Sequence, residues 1–156
     1  MSTLREKTMS RDYFVDSESL EKLLSDYQSI FALVDDYAQQ FVQGVLTTPE
    51  DYKEALRALT GAFMTLYPLY TQSEAYKNNQ EIQAYVTLKR ELEAKGEKVV
   101  ATSLEKESSL AVAIPRRVRN VLEGYVEAAS KAIGTCQTQL KRFETEIKNR
   151  NTEINE

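Results

Sequence analysis

The first strong pattern along the chain is an apolar repeat. Apolar side chains recur at alternating intervals of four and three residues, at Leu20, Leu24, Tyr27, Phe31, Val34, Ala38, Phe41 and Val45. This spacing puts them on one stripe of an α-helix and follows the heptad of a coiled coil. It predicts a first helix over 17–45, with Asp16 or Ser17 as its N-cap. The stripe favours association between helices. Its candidate oligomer-interface residues are Leu20, Leu24, Tyr27, Phe31, Val34 and Phe41.

Four more apolar stripes predict four more helices. Their expected ranges are 49–71, 74–95, 103–113 and 115–150. Thr48 followed by Pro49 is typical of a helix start. Pro68 is expected to kink or end the second helix because it lacks an N–H donor. Ser73 is then a candidate cap for the third helix.

Three signals set the remaining boundaries. Gly96 is placed like a C-terminal stop. Thr102 with Glu105 has the spacing of a capping box for the fourth helix. Pro115 either kinks that helix or begins the fifth.

The predicted fold class is all-α, a helical bundle in which the long helices 17–45 and 115–150 associate in a coiled-coil-like manner. We expect a single helical domain. Its expected parts are an acidic helical hairpin at 17–72, a mildly basic helical part at 73–150, and frayed ends at 1–12 and 151–156.

Composition agrees with a helical fold. Apolar residues make up 42% of the chain, and only five glycines and three prolines occur, too few for the turns of a sandwich or barrel. No apolar run approaches the length of a membrane helix, and the first residues lack the apolar region of a secretory signal. Cys136 is the only cysteine. A cytoplasmic protein is expected, in the host cytoplasm if the chain is phage-encoded.

Charge is distributed unevenly along the chain. Residues 1–75 carry 6 Lys/Arg against 12 Asp/Glu, whereas residues 76–156 carry 14 against 12. The first part therefore has a balance of −6 and the second a balance of +2. An acidic first part repels phosphate and suits a basic protein partner, while the second part could supply a basic stripe for nucleic acid.

Candidate catalytic chemistry is sparse. The chain has no histidine, which removes the usual nucleophilic dyads, zinc ligand sets and general base. Glycine-rich phosphate-binding loops are absent. Cys136 lies on an apolar stripe and is expected to be a buried thiol. We therefore expect a protein that is not an enzyme and has no cofactor or metal site.

Basic clusters in the second part are the main candidate for binding. Three arginines fall within four residues just after Pro115. In the first turn of a helix they face the positive end of its dipole and need another partner, which could be phosphate, a protein carboxylate, solvent or an intramolecular ion pair. Solvent or intramolecular pairing is the favoured interpretation, for example between Arg119 and Glu123.

Two runs in the second part carry a resemblance to a known family. They are YVTLKRELEAKGEKVVATSLEKESSLAVAI and, after it, AASKAIGTCQTQLKRFETEIKNRN. Together they resemble small helical accessory proteins of phage recombination and replication, in the style of the T-even recombination mediators. The resemblance covers about residues 76–150 and lies in the order of parts. It implies a homo-oligomeric helical assembly that binds single-stranded DNA and helps to load or anneal strands. The residues to test first as phosphate contacts would be Lys89, Arg90, Lys98, Arg116, Arg117 and Arg119.

Two functional hypotheses follow. The first is a non-enzymatic phage-type accessory protein that binds single-stranded DNA, the recombination or replication machinery, or both, as an oligomer. The second is an acidic protein–protein module: an adaptor, an assembly component or an inhibitor of a host nucleic-acid enzyme. Its candidate contact residues are Asp26, Asp35, Asp36, Glu50, Asp51 and Glu54. Both hypotheses expect a homo-oligomer and neither involves a membrane.

Overall fold

The computed structural model describes Tyr13 and residues 16–154. Five helices follow one another there: α1 (Ser17–Asp26), α2 (Gln28–Gln43), α3 (Pro49–Ala94), α4 (Ala101–Ala111) and α5 (Ala113–Ile154). The same part of the chain contains no strand, so the predicted all-α class is confirmed. The coiled-coil-like association stays a prediction. None of these described helices is long and apolar enough to span a bilayer.

The expected frayed ends lie mostly outside the described residues. Residues 1–12, 155 and 156 are among those not described. Residues 151–154 continue α5 as helix, so the last helix extends four residues beyond its predicted end.

The predicted first helix is interrupted at Tyr27. This residue has φ −112° and ψ 16°, outside the helical range. Its carbonyl accepts the N–H groups of Ile30 (2.9 Å) and Phe31 (3.1 Å) at the start of α2. The prediction of one continuous helix is therefore wrong. The apolar repeat runs through the break, so the spacing alone could not reveal it.

The start of α1 and the end of α2 are each fixed by a local interaction. Asp16 caps α1, since its Oδ1 accepts the backbone N–H of Ser19 at 2.9 Å. At the end of α2, Gly44 adopts a left-handed φ of +66°, which glycine reaches without steric cost. The N–H of Val45 then turns back to the carbonyl of Gln40 at 3.3 Å.

α3 runs through Pro68 without ending, so the predicted stop near residue 71 and the predicted cap at Ser73 are wrong. A proline in a helix interior costs about 3 kcal/mol. Leu66 and Leu69 on either side of it are both 0% exposed, and burying each leucine stabilises the fold by about 1.5–3 kcal/mol. Packing therefore outweighs the local cost. Ser73 is buried within the helix, and its hydroxyl donates to the carbonyl of Tyr70 at 2.7 Å.

Two predicted boundary signals are confirmed. The Oγ1 of Thr48 accepts the N–H of Asp51 at 3.2 Å, and the Oδ2 of Asp51 accepts the N–H of Thr48 at 2.8 Å. Gly96 has a φ of +70°, and the N–H of Glu97 bonds the carbonyl of Leu92 at 3.0 Å. These contacts begin and end α3 as expected.

The predicted capping box of the fourth helix is wrong. The helix begins two residues early, at Ala101, its N-cap Val100 has no side-chain hydrogen bond, and Thr102 lies inside the first turn. A break at Val112, with φ −107° and ψ 24°, separates α4 from α5. Pro115 then lies in the first turn of α5, where a missing N–H costs nothing because those donors have no intrahelical partner.

The helices divide into two compact units, each discontinuous in sequence. The first unit comprises Met1–Asp26 and Pro68–Glu123, and the second comprises Tyr27–Tyr67 and Gly124–Glu156. This division differs from the predicted acidic and basic parts, because α3 and α5 each contribute one portion to each unit.

Each unit has its own buried apolar residues. In the second unit, α2, the first portion of α3 and α5 share two clusters, Val34 with Ala62 and Ala129, and Ala55 with Leu59 and Cys136. The buried thiol predicted at Cys136 is confirmed, since it is 0% exposed. In the first unit the buried apolar residues include Leu23, Leu69, Leu104, Val112, Val118 and Leu122.

Four of the predicted oligomer-interface residues lie in the second unit, and three of these four are buried. Tyr27, Phe31 and Val34 are 5%, 5% and 4% exposed in the single chain. The Phe31 ring packs edge-on against Tyr125, with centroids 4.6 Å apart. These three side chains therefore belong to the core of the single chain, and the oligomer interface stays a prediction. Leu24 is exposed, and Leu20 and Phe41 are half-buried.

Candidate binding groove

Arg116, in the first turn of α5, binds the end of the preceding helix. Its guanidinium donates to the hydroxyl of Ser109 at 2.6 Å and to the carbonyl of the same residue at 3.1 Å. A second contact reaches the carboxylate of Glu81 on α3 at 3.5 Å. A positive charge at the C-terminal end of α4 is favourable because the helix dipole is negative there. The unfavourable position at the start of α5 is thus offset by the neighbouring helix end.

Arg119 is held in a carboxylate and aromatic cage of the first unit. It contacts Glu123 at 2.7 Å and Glu74 at 3.4 Å, and it lies over the Tyr70 ring at 5.7 Å. The predicted pairing with Glu123 is confirmed. Burial by itself would lower the pKa of Arg119, but the attraction of Glu123 raises it overall. Burial, followed by the charge of Glu74, raises the pKa of Tyr70.

The other predicted phosphate contacts have different surroundings. Arg117, Arg90 and Lys98 are exposed, and none of them forms an ion pair within the described part of the chain. Lys89 approaches Glu93 at 3.9 Å on the surface of α3. Arg116 and Arg119 therefore bind neighbouring side chains, whereas Arg117 remains available to a ligand.

The acidic candidates are mostly engaged in local structure. Asp26 accepts a hydrogen bond from the hydroxyl of Tyr13 at 2.6 Å, and Asp35 accepts one from the hydroxyl of Tyr125 at 3.1 Å. Hydrogen bonds from the backbone at Thr48 and Thr47 lower the pKa of Asp51. Glu50 contacts Lys53 at 2.8 Å. All of this set except Asp51 are exposed, and Asp36 and Glu54 make no ion pair within the described part of the chain.

Metal-ligating side chains do not cluster among the described residues, which contain no group of three or more of them. Burial raises the pKa of the Cys136 thiol, which keeps it in the unreactive protonated form.

A groove that the sequence did not single out lies in the first unit, between α3 and α4. It has a volume of about 750 Å³, and its lining includes Gln80, Gln83, Ala84, Leu88, Leu110 and Ala111. A second space of about 300 Å³, lined by Tyr76, Ile114 and Pro115, continues it and shares Gln80, Leu110 and Ala111. We call the two together the α3–α4 groove.

Leu110 stands at the edge of this groove and is 74% exposed. The buried side chains of α4 are Leu104 and Ser108, one turn apart, and Leu110 lies off that face. A signal for the groove exists in the run LAVAI at 110–114, which is more apolar than one face of a helix can bury.

The opposite flank of α4 forms a smaller and more charged space. Its volume is about 310 Å³, and its lining includes the carboxylates of Glu81 and Glu105 beside the exposed Ile82. Only one carboxylate, that of Glu107, lines the main part of the α3–α4 groove. The two flanks of α4 therefore offer different chemistry.

Comparison with known proteins identifies no relative. No protein-family model matches the chain, and no curated protein or solved structure is significantly similar to it. The resemblance to phage accessory proteins stays a prediction, and the functional argument rests on the chain's own residues.

Proposed function

We propose that this protein is a non-enzymatic protein-binding module and that the α3–α4 groove is its binding surface. The observation that carries the proposal is the 74% exposure of Leu110 at the edge of a groove of about 750 Å³ lined mainly by uncharged residues. This proposal corresponds to the protein–protein hypothesis, with the contact surface placed in the first unit instead of on the acidic residues.

The energetic argument concerns exposed apolar area. Burying a leucine side chain contributes about 1.5–3 kcal/mol, and such side chains beside a concave surface are typical anchors of a protein interface. Ile114 and Val100, near the two ends of α4, are 38% and 45% exposed. A partner that covers Leu110 could also cover neighbouring apolar side chains.

Affinity capture tests this proposal. The tagged protein and its Leu110→Asp variant are compared for partners retained from a lysate of the source cells. We expect a partner that the wild type retains and Leu110→Asp loses, because a buried carboxylate without a counter-charge is strongly unfavourable. Val42→Asp is the matched control, since Val42 is 88% exposed and lies in the second unit. Equal capture by both variants would contradict the proposal.

Binding of single-stranded DNA by an oligomeric phage-type accessory protein is the second candidate function. The observation that favours it is the exposure of Arg90, Lys98 and Arg117 without ion pairs in the described chain. Such residues neutralise phosphates and release counterions, so affinity should fall steeply with salt.

Fluorescence anisotropy with a labelled oligothymidine at low salt tests the DNA candidate. The triple variant Arg90→Glu, Lys98→Glu and Arg117→Glu should lose binding. The control variant Lys53→Glu, Arg57→Glu and Lys131→Glu makes the same change in net charge in the second unit and should retain it. No binding by the wild type, or equal loss in both variants, would exclude this candidate.

A further inference from the structure

The α3–α4 groove has the length of a short helix. From Leu88 at one end to Tyr76 at the other, α3 advances by twelve residues, or ~18 Å at 1.5 Å per residue. A helix of about three turns has the same length. Grooves between helices commonly bind an amphipathic helix through apolar anchors spaced at three and four residues.

Charge differs between the two ends of the groove. Glu107 and Leu88 line the larger part of the groove and not the part that contains Tyr76. Glu91 follows Leu88 by three residues on the same face of α3. Arg117 follows Ile114 by three residues on α5, at the end lined by Tyr76. All three charged side chains are exposed, and none has an ion-pair partner within the described part of the chain.

This arrangement complements the dipole of a helix. The N-terminal end of a helix carries partial positive charge and its C-terminal end partial negative charge. Glu91 and Glu107 would attract the first end, and Arg117 would attract the second. Such an arrangement of charges would favour one direction for a bound helix.

We propose that the α3–α4 groove binds a three-turn amphipathic helix of a partner protein, with the helix N-terminus and basic side chains beside Glu91 and Glu107 and its C-terminus and acidic side chains beside Arg117. This inference rests on the proposed protein-binding function and adds the chemistry and direction of the partner.

The test uses two synthetic helical peptides of about 14 residues, each cross-linked on its outer face because short helices are marginal in water. Both carry the same leucines at intervals of three and four residues. The forward peptide has lysines in its first turn and glutamates in its last turn, and the reverse peptide has these exchanged. Binding is measured by fluorescence anisotropy at low salt.

The forward peptide should bind about tenfold more tightly than the reverse peptide, since attraction becomes repulsion at both ends. The double variant Glu107→Lys and Arg117→Glu should invert this preference. In the control variant, Glu105→Lys replaces Glu107→Lys, because Glu105 lines the opposite flank of α4, and Arg117→Glu is kept. That control should reduce the preference without inverting it. Circular dichroism checks that each variant is folded.

Several results would overturn the inference. Equal affinity for the two peptides would remove the direction, and binding unaffected by Leu110→Asp would remove the groove as the site. Displacement of the peptide by oligothymidine would make nucleic acid the occupant. A wild-type dimer that Leu110→Asp converts to a monomer in sedimentation equilibrium would make a second copy the occupant. If both peptides fail while lysate capture still depends on Leu110, this inference fails and the protein-binding function stands.

Discussion

Arg116 and Arg117 are adjacent in sequence and have opposite surroundings. Arg116 donates to the hydroxyl and carbonyl of Ser109 and contacts Glu81, whereas Arg117 is exposed. In the sequence the two residues belong to one basic cluster. Their surroundings cannot be read from it, because neighbouring residues on a helix differ in direction by about 100° and their partners lie on other elements. Only Arg117 retains a charge that a ligand could use.

A pair of alanine substitutions checks this difference. We expect Arg116→Ala to lower the free energy of unfolding by about 1 kcal/mol, since it removes hydrogen bonds and a partly screened ion pair. Arg117→Ala should change it by less than about 0.5 kcal/mol. Urea denaturation measures both. Equal effects would contradict the assigned contacts.

Tyr70 gives a pH-dependent prediction at the same scale. Burial and the charge of Glu74 raise its pKa above the ordinary value. The corresponding stability is fully present below the unfolded pKa of about 10 and is lost as pH rises through the higher folded pKa. Tyr70→Phe should therefore reduce the loss of stability between about pH 9 and pH 11, measured by urea midpoints. An unchanged alkaline slope would contradict this role.

At the scale of helices, apolar spacing and local caps predicted most boundaries. Thr48 with Asp51 and the left-handed Gly96 have short-range causes that sequence carries. The break at Tyr27 and the continuous helix at Pro68 depend on burial in the folded chain, where Leu66 and Leu69 are 0% exposed. Local propensity is a weak prior when tertiary packing opposes it.

Two glycines, Gly134 inside α5 and Gly44 just after α2, give a pair of predictions with opposite sign. An added Cβ would meet nothing within 4 Å at Gly134 or at Gly44. Gly134 lies inside α5, so Gly134→Ala should raise the free energy of unfolding by about 0.5–1 kcal/mol. Gly44 has a φ of +66°, so Gly44→Ala should lower it by about 1–2 kcal/mol. Thermal or urea unfolding distinguishes them, and a common sign would contradict the helix assignments.

At the scale of the whole molecule, three residues of the first apolar repeat, Tyr27, Phe31 and Val34, belong to the chain's own core. Phe31 is 5% exposed and packs on Tyr125. We expect Phe31→Ala to lower the free energy of unfolding by about 3–5 kcal/mol without changing the mass of the folded protein in sedimentation equilibrium. Leu24→Ala, at a side chain 39% exposed, is the control and should cost far less. Dissociation of an oligomer by Phe31→Ala would support the predicted interface instead.

The α3–α4 groove forms only when helices that are separate in sequence pack together. Its walls come from residues 76–88 of α3 and from the α4–α5 junction, which are separated in sequence by the connection around Gly96. Periodicity identifies the buried face of each helix, but it does not show which exposed leucine stands beside a concave surface. Leu110 and Arg117 acquire their proposed roles from that juxtaposition.

The central claim is that the α3–α4 groove binds protein, and site-specific photo-cross-linking tests it most directly. A photo-reactive amino acid is placed at position 110 in one sample and at position 42 in another, and both are irradiated in a lysate of the source cells. We predict a discrete cross-linked partner from position 110 and none from position 42, although Val42 is the more exposed side chain (88% against 74%). The absence of a cross-link from position 110, or the same products from both positions, would contradict the claim.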